Sequence, residues 1–187
     1  MRQIFQFIFI MMIGIFMVNC NNPANSSTDS SQGIDQSKLK GQSGVVDEES
    51  EPNILQIAIN SKDHTTLVAG VQAAGLEDVL TNAGPLTVFA PNNDAFAKLP
   101  EGTLDNLLKP ENKATLANII TFHAAPGSYT GDNIKGVMGI GQATGDKVKV
   151  EVKDGATYVN GAKVLGTVKA SNGYVHVIDQ VLLPPEK

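Results

Sequence analysis

Thr87-Val88-Phe89-Ala90-Pro91-Asn92-Asn93-Asp94-Ala95-Phe96 is the stretch on which the fold turns. Entered from Leu86, its first half is a short unbroken apolar run, as a buried strand requires. The run stops at Pro91, which has no N–H to give to a ladder. Asn92 or Asn93 then stands where a helix needs an N-cap, because a short side-chain oxygen there accepts a free N–H of the first turn. A strand, a turn and a helix carrying Ala95, Phe96 and Leu99 therefore follow one another. Phe96 is expected to return beneath the strand and fill the core. Pro100-Glu101-Gly102 ends the helix.

Upstream, Ile54, Leu55, Ala58 and Ile59 recur at helical spacing, and Leu67, Val68, Val71 and Ala74 repeat the pattern before Leu76, Val79 and Leu80. Asp63 is placed to cap the second helix, and Gly75 to end or bend it. Ala83-Gly84-Pro85 breaks the pattern before the strand. Downstream, Thr103 is placed to cap a helix with Leu104, Leu107 and Leu108 on one face. Pro110 breaks it, and Leu116, Ile119, Ile120 and Phe122 mark another. After Ala125-Pro126-Gly127 the period changes to two: Lys147-Val148-Lys149-Val150-Glu151-Val152 alternates charge with valine, as a half-buried antiparallel strand does. Asp154-Gly155 and Asn160-Gly161 are hairpin signals. Gly166 to Ala170, and Tyr174 to Leu183 after Asn172-Gly173, supply further strands. Gly136 to Gly145 holds four glycines without the following Lys-Ser/Thr of a phosphate loop, and reads as a mobile loop. Helices gathered in one half and hairpins in the other predict an α+β domain.

The ends carry a different message. Met1-Arg2 gives a positive start, and Ile4 to Val18 is nearly continuous Ile, Phe and Met, running to Asn19-Cys20. That run of about fifteen residues suits a signal peptide over 1–19 and is shorter than the roughly twenty needed to span a bilayer. Cys20, the single cysteine of the 187 residues, stands where a bacterial lipoprotein is lipidated, so the chain is expected to be exported and membrane-anchored through a lipid on Cys20, in the periplasm or at the cell surface. Residues 20–51, with six acids and two bases, read as a disordered acidic tether that spans on the order of 30 Å. A folded domain over 52–184 and a tail at 185–187 complete the layout. The domain holds thirteen acids and eleven bases with the tail included, so it has no basic field to gather phosphates, and nucleic-acid binding is disfavoured. Having no cysteine, it holds no disulfide.

At these residues the chain resembles the fasciclin-domain family over about Pro52 to Pro184. Asn53 to Ala58 and Thr65 to Leu76 look like the family's first helices, the run containing Thr87, Phe89, Pro91, Asn92, Asp94 and Phe96 is similar to its most specific motif, and Asn172-Gly173-Tyr174-Val175-His176-Val177-Ile178-Asp179 to its closing one. Where the family usually carries a Tyr-His pair, this chain has Phe122-His123. The resemblance implies small β-sheets in a wedge packed with several short helices. It also implies adhesion or binding to protein or glycan partners at the cell envelope, without cofactor or catalysis. In that reading the motif residues, Asp179 included, are mostly structural or candidate binding residues.

The chemistry-bearing residues agree with a binding role. His64, His123 and His176 lie too far apart in sequence for a local metal-ligand pattern; His123, where a helix meets a strand, and His176, between Val175 and Val177, are expected to be hydrogen-bonded structural histidines. Asn92, Asn93 and Asp94 lack the alternating acids and distal Glu of a calcium loop. No Gly-x-Ser-x-Gly elbow occurs. Two alternatives stand beside binding: a small hydrolase or metal enzyme using His123 and His176, and a purely structural envelope protein.

Overall fold

In the computed structural model, which describes residues 51–82 and 84–185, the apolar run is β1 (Leu86–Pro91). The signal peptide, Cys20 and residues 20–50 of the tether lie outside the described residues. Six further strands join it: β2 (Ala124–Pro126), β3 (Gly139–Gly141), β4 (Lys147–Lys153), β5 (Ala156–Val159), β6 (Ala162–Ala170) and β7 (Gly173–Ile178). Their order is β2-β1-β7-β6-β5-β4-β3, parallel between β1 and β7 and antiparallel elsewhere. β6 belongs to two arms of the sheet. Its first two residues pair with β5, a register shift falls between Val164 and Gly166, and the rest runs along β7. With its helices the chain has the α+β architecture expected of it.

β1 sits between β2 and β7, so both its edges are paired, and period-two alternation sends its side chains into two cores, one on each face. Val88 and Ala90 join Val175 in a core closed by Ile54 and Leu55 of α1 (Ile54–Ile59), Leu67 and Val71 of α2 (Thr65–Ala74), Leu80 of α3 (Glu77–Thr81), and Leu116 and Ile120 of α6 (Lys113–Phe122). Phe89 and Ile178 point the other way, into a core with Phe122, Ile134 of α7 (Gly131–Lys135), Ile140, Val148 and Val159. Two short helices, α4 (Asn93–Ala97) and α5 (Thr103–Leu107), flank the first core. With at most ten residues each, these helices hold their shape through such packing rather than by propensity.

Local signals set the turns. Asp154 and Asn160 both have φ of 51°, followed by Gly155 at 76° and Gly161 at 88°, which is the double left-handed geometry of tight two-residue hairpins. They fix Lys153 opposite Ala156 and Val159 opposite Ala162. Gly173 answers a different need: a Cβ there would lie 1.8 Å from the Leu86 carbonyl oxygen, so only glycine lets β7 start against β1.

Several expectations are corrected. Asp63 does not cap α2. Ser61 caps the 3-10 turn before it, and the α2 terminus is closed by Asn93, whose Oδ1 accepts the Thr66 N–H at 3.1 Å from across the fold. At α5 the N-cap is Gly102 in a left-handed conformation, so Thr103 is already inside the helix. The glycine-rich stretch is not simply a loop, since Gly139–Gly141 pairs with β4, and α7 precedes it. The inward valines of β4 end at Val150, because Val152 lies past the part of the strand covered by the second core and is 46% exposed. β7 stops at Ile178, where Asp179 turns back to bond Lys163: its N–H donates to the Lys163 carbonyl at 3.2 Å and its Oδ1 accepts the Lys163 N–H at 2.8 Å.

Candidate functional site

Most of the motif residues face inward and bind their own chain. Buried Thr87 donates its hydroxyl proton to the Gly127 carbonyl at 2.7 Å and accepts the Tyr129 N–H at 3.0 Å, tying β1 to the turn after β2. Phe89 stacks on the His176 ring, with centroids 5.6 Å apart. Pro91 ends β1 opposite Ile178, and Asn92 caps α4 by accepting the Ala95 N–H at 2.8 Å. Asp94 is exposed in the first turn of α4, where a carboxylate suits the positive end of the helix. Asn172 accepts the Ile54 N–H at 3.0 Å and donates to the Leu80 carbonyl at 2.8 Å, joining the start of α1 to the end of α3. Asp179 also lies 3.6 Å from the Lys98 ammonium. Phe122 is wholly buried in the second core.

The histidines are occupied as well. His123 Nε2 accepts the Leu182 N–H at 2.9 Å, so its proton sits on Nδ1, which donates to the Ile119 carbonyl at 2.8 Å. Burial pushes its pKa down to about 4, against the smaller opposing pull of the Ile119 carbonyl. His176 donates from Nε2 to the Tyr129 carbonyl at 2.5 Å and accepts the Thr167 hydroxyl on Nδ1 at 2.8 Å; burial lowers its pKa too. His64 Nδ1 lies 2.7 Å from the Ser61 hydroxyl. Its Nε2 is buried and makes no well-formed hydrogen bond, although the Ala90 carbonyl faces it. Desolvation lowers this pKa, with Asp63 and that carbonyl opposing. His123 and His176 line different cavities, so they do not present a shared acid–base pair. Among the described residues no group of three or more His, Cys, Asp or Glu is placed to hold a metal ion.

Two features are open to a partner. The first is an apolar cleft of about 190 Å³ walled by α2, α4, α5, α6 and the segment after β7, with Phe96, Leu104, Leu107, Ile119, Val181 and Leu183 among its lining. Phe96 therefore does not fill the core beneath the strand but packs on the rim of the first core and lines the cleft. α4 begins directly after β1, and its phase turns the small Ala95, 1% exposed, against the sheet and sends the half-buried Phe96 toward the neighbouring helices. The second is the outer edge of β6. Beyond Lys163 that edge pairs with no strand among the described residues, and residues 165–169 are all exposed, with Leu165 at 52% and Val168 at 42%. Sequence reading misses both. The cleft gathers residues from five segments, and an alternating strand looks the same whether its edge is paired or open.

The two-sided sheet, the inward motifs and the helices around the first core together define a fasciclin domain. The Fasciclin domain family model matches residues 62–184, and the chain belongs to that family. It is 46% identical over 138 residues to protein sll1483 of Synechocystis sp., covering 73% of this chain and 76% of that protein. It is 36% identical over 142 residues to immunogenic protein MPB70 of Mycobacterium bovis, covering 73% of this chain and 71% of that one. Among solved structures, a FAS1 domain pair from the insect cell adhesion molecule Fasciclin I shares the fold with a TM-score of 0.64 at 19% identity, over 71% of this chain and 51% of that one.

Proposed function

We propose that this chain is an exported fasciclin-domain lipoprotein, anchored through Cys20, that binds protein or glycan partners at the cell envelope and carries out no turnover. The observation that carries the reading is the division of labour in the fold: both ring nitrogens of His123 and of His176 are taken by internal bonds, while the outer edge of β6 stands open. An open strand edge flanked by Leu165 and Val168 suits a protein partner, whose backbone can extend the ladder while its side chains cover the two apolar ones. Family membership supports the same reading, since the solved fold-mate belongs to a cell adhesion molecule. The N-terminal side of the domain fits a tether, because Glu51, where the domain begins, lies 3.2 Å from the Lys169 ammonium beside the end of β6.

The test uses the full chain as bait for envelope proteins and glycans, beside a Leu165→Asp/Val168→Asp double variant. The expected result is a retained partner that the double variant loses while its urea midpoint stays put. Equal capture by both proteins would remove β6 from the account. For the anchor, Cys20→Ser should move the chain from the membrane fraction to the soluble one, and intact mass should report the lost acyl groups. An unchanged membrane fraction would remove Cys20 as the anchor.

A further inference from the structure

The cleft between the helices contains a residue that its helix does not need. Gly70 lies in the interior of α2, with no positive φ and no close approach: a Cβ there would meet only Leu116 Cδ1 and Ile120 Cδ1, each at an ordinary 3.9 Å. Glycine weakens a helix interior relative to alanine, so this position gives up helix stability without a backbone reason. What the missing methyl does provide is room, because Gly70, Leu116 and Ile120 all line the cleft.

The chemistry of the walls says what the room can hold. No Asp, Glu, Lys or Arg lines it, and the histidine in its wall, His123, has both ring nitrogens engaged with Ile119 and Leu182. A charged ligand would find no counter-charge there, and ordered water would find few partners. The volume of about 190 Å³ exceeds the ~150 Å³ of a dry apolar cavity that accepts benzene, which gives space for about six to eight carbons of a chain. The mouth is apolar too, with Leu183 exposed at 55% and Phe96 half-buried, so a longer chain can lie across it and leave a polar end in water. We propose that the cleft kept open by Gly70 binds the hydrocarbon tail of a single-chain lipid, methyl end inward. This site is independent of Cys20 and of the β6 edge, so either reading can fail without the other.

The test is a titration of the full chain with 1-octanol, followed by the methyl resonances of its Leu, Ile and Val side chains, with benzene as a second arm. Saturable shifts are expected at Leu104, Leu107, Ile119 and Leu183 and not on the Leu165–Val168 edge. Gly70→Ala should weaken octanol binding by about fourfold, the worth of roughly one methyl group of contact, and melt at or above the wild-type temperature. Gly70→Leu should abolish binding. The proposal is overturned if octanol gives no saturable response, or if Gly70→Ala binds it as tightly as the wild type. Loss of stability in Gly70→Ala would show that the glycine serves packing instead. Benzene bound in the absence of octanol binding would show a compact ring pocket rather than a chain site.

Discussion

β7 and the outer half of β6 are neighbours in one sheet, yet their surroundings are opposite. β7 lies between β1 and β6 with Val175, His176 and Ile178 buried, while residues 165–169 of β6 are exposed along their length. Most polar groups in the closed region have partners within the chain, so it confers shape and little reactivity. The open strand has an edge that no strand among the described residues pairs with, and apolar side chains, but no sequence motif. The strand portions of the family's motifs, in β1 and β7, thus mark the part of the molecule least available to a partner.

The sharpest way to break this contrast is to disturb the contact that closes β7 against β1. Gly173→Ala would place a methyl 1.8 Å from the Leu86 carbonyl oxygen, with further contacts to the Leu86 backbone under 3 Å, and no side chain there can move aside. The expected loss is more than about 4 kcal/mol, in the range that threatens folding of a whole domain. Urea denaturation, or recovery of soluble protein where the variant does not fold, measures it. A stability within 1 kcal/mol of wild type (~1 on the usual scale of mutations) would show that the strands can separate without harm.

The next test compares two phenylalanines of the same motif. Phe89 is wholly buried between β7 and the second core, and Phe89→Ala should cost about 3–5 kcal/mol. Phe96, half-buried on the cleft, should cost only about 1–2 kcal/mol on the same change. Equal losses in the urea midpoint would return Phe96 to the core.

These two residues also show how far sequence carries. Phe89 is legible because an apolar run between Pro85 and Pro91 admits one buried strand. The hairpins at Asp154-Gly155 and Asn160-Gly161 are legible for the same local reason: residues that tolerate positive φ fix the register. Phe96 is not, because the phase of a five-residue helix is set by what packs on it. The cap of α2 is missed since Asn93 reaches it from 27 residues away, and the second partner of His123 lies 59 residues on, at Leu182. The structural role of His123 and His176 is nevertheless legible, as His123 follows Phe122 where a helix meets a strand and His176 alternates with Val175 and Val177; His64, between Asp63 and Thr65, carries no such signal.

Acid reports on the closed region as a whole. The unfolded chain takes up a proton on His123 near the model-peptide value of 6.5, while in the fold burial holds the ring neutral down to about 4. Between those values the unfolded state binds more protons, so stability falls as pH falls from 6.5 toward 4 and is retained above 6.5. A depression of that size corresponds to on the order of 3 kcal/mol at His123 alone. His176 and His64 are lowered in the same direction and add to the slope. Urea midpoints at several pH values across that window should decline in the wild type and decline less steeply in His123→Gln. Parallel lines for the two proteins would mean that His123 opens to solvent before it titrates.

The smallest expected effect lies at the boundary between the two strands. Thr167 is on the open side of β6, but its hydroxyl donates to His176 Nδ1 at 2.8 Å and so reaches into the closed side. Thr167→Val keeps the branched shape that a strand favours and removes the donor, leaving Nδ1 as an acceptor without its partner. If water cannot follow, the loss is about 1 kcal/mol or somewhat more, the net worth of one hydrogen bond plus part of the desolvation of a half-buried acceptor. His176 still donates to Tyr129 and still stacks on Phe89, so the ring stays in place and the loss stays small. Because protonated Nδ1 would become a donor with no hydroxyl opposite, the valine variant also separates the two regions by pH. A midpoint equal to wild type at pH 7 would show that solvent enters from the β6 edge, and the boundary drawn at His176 would then have to move inward to Phe89.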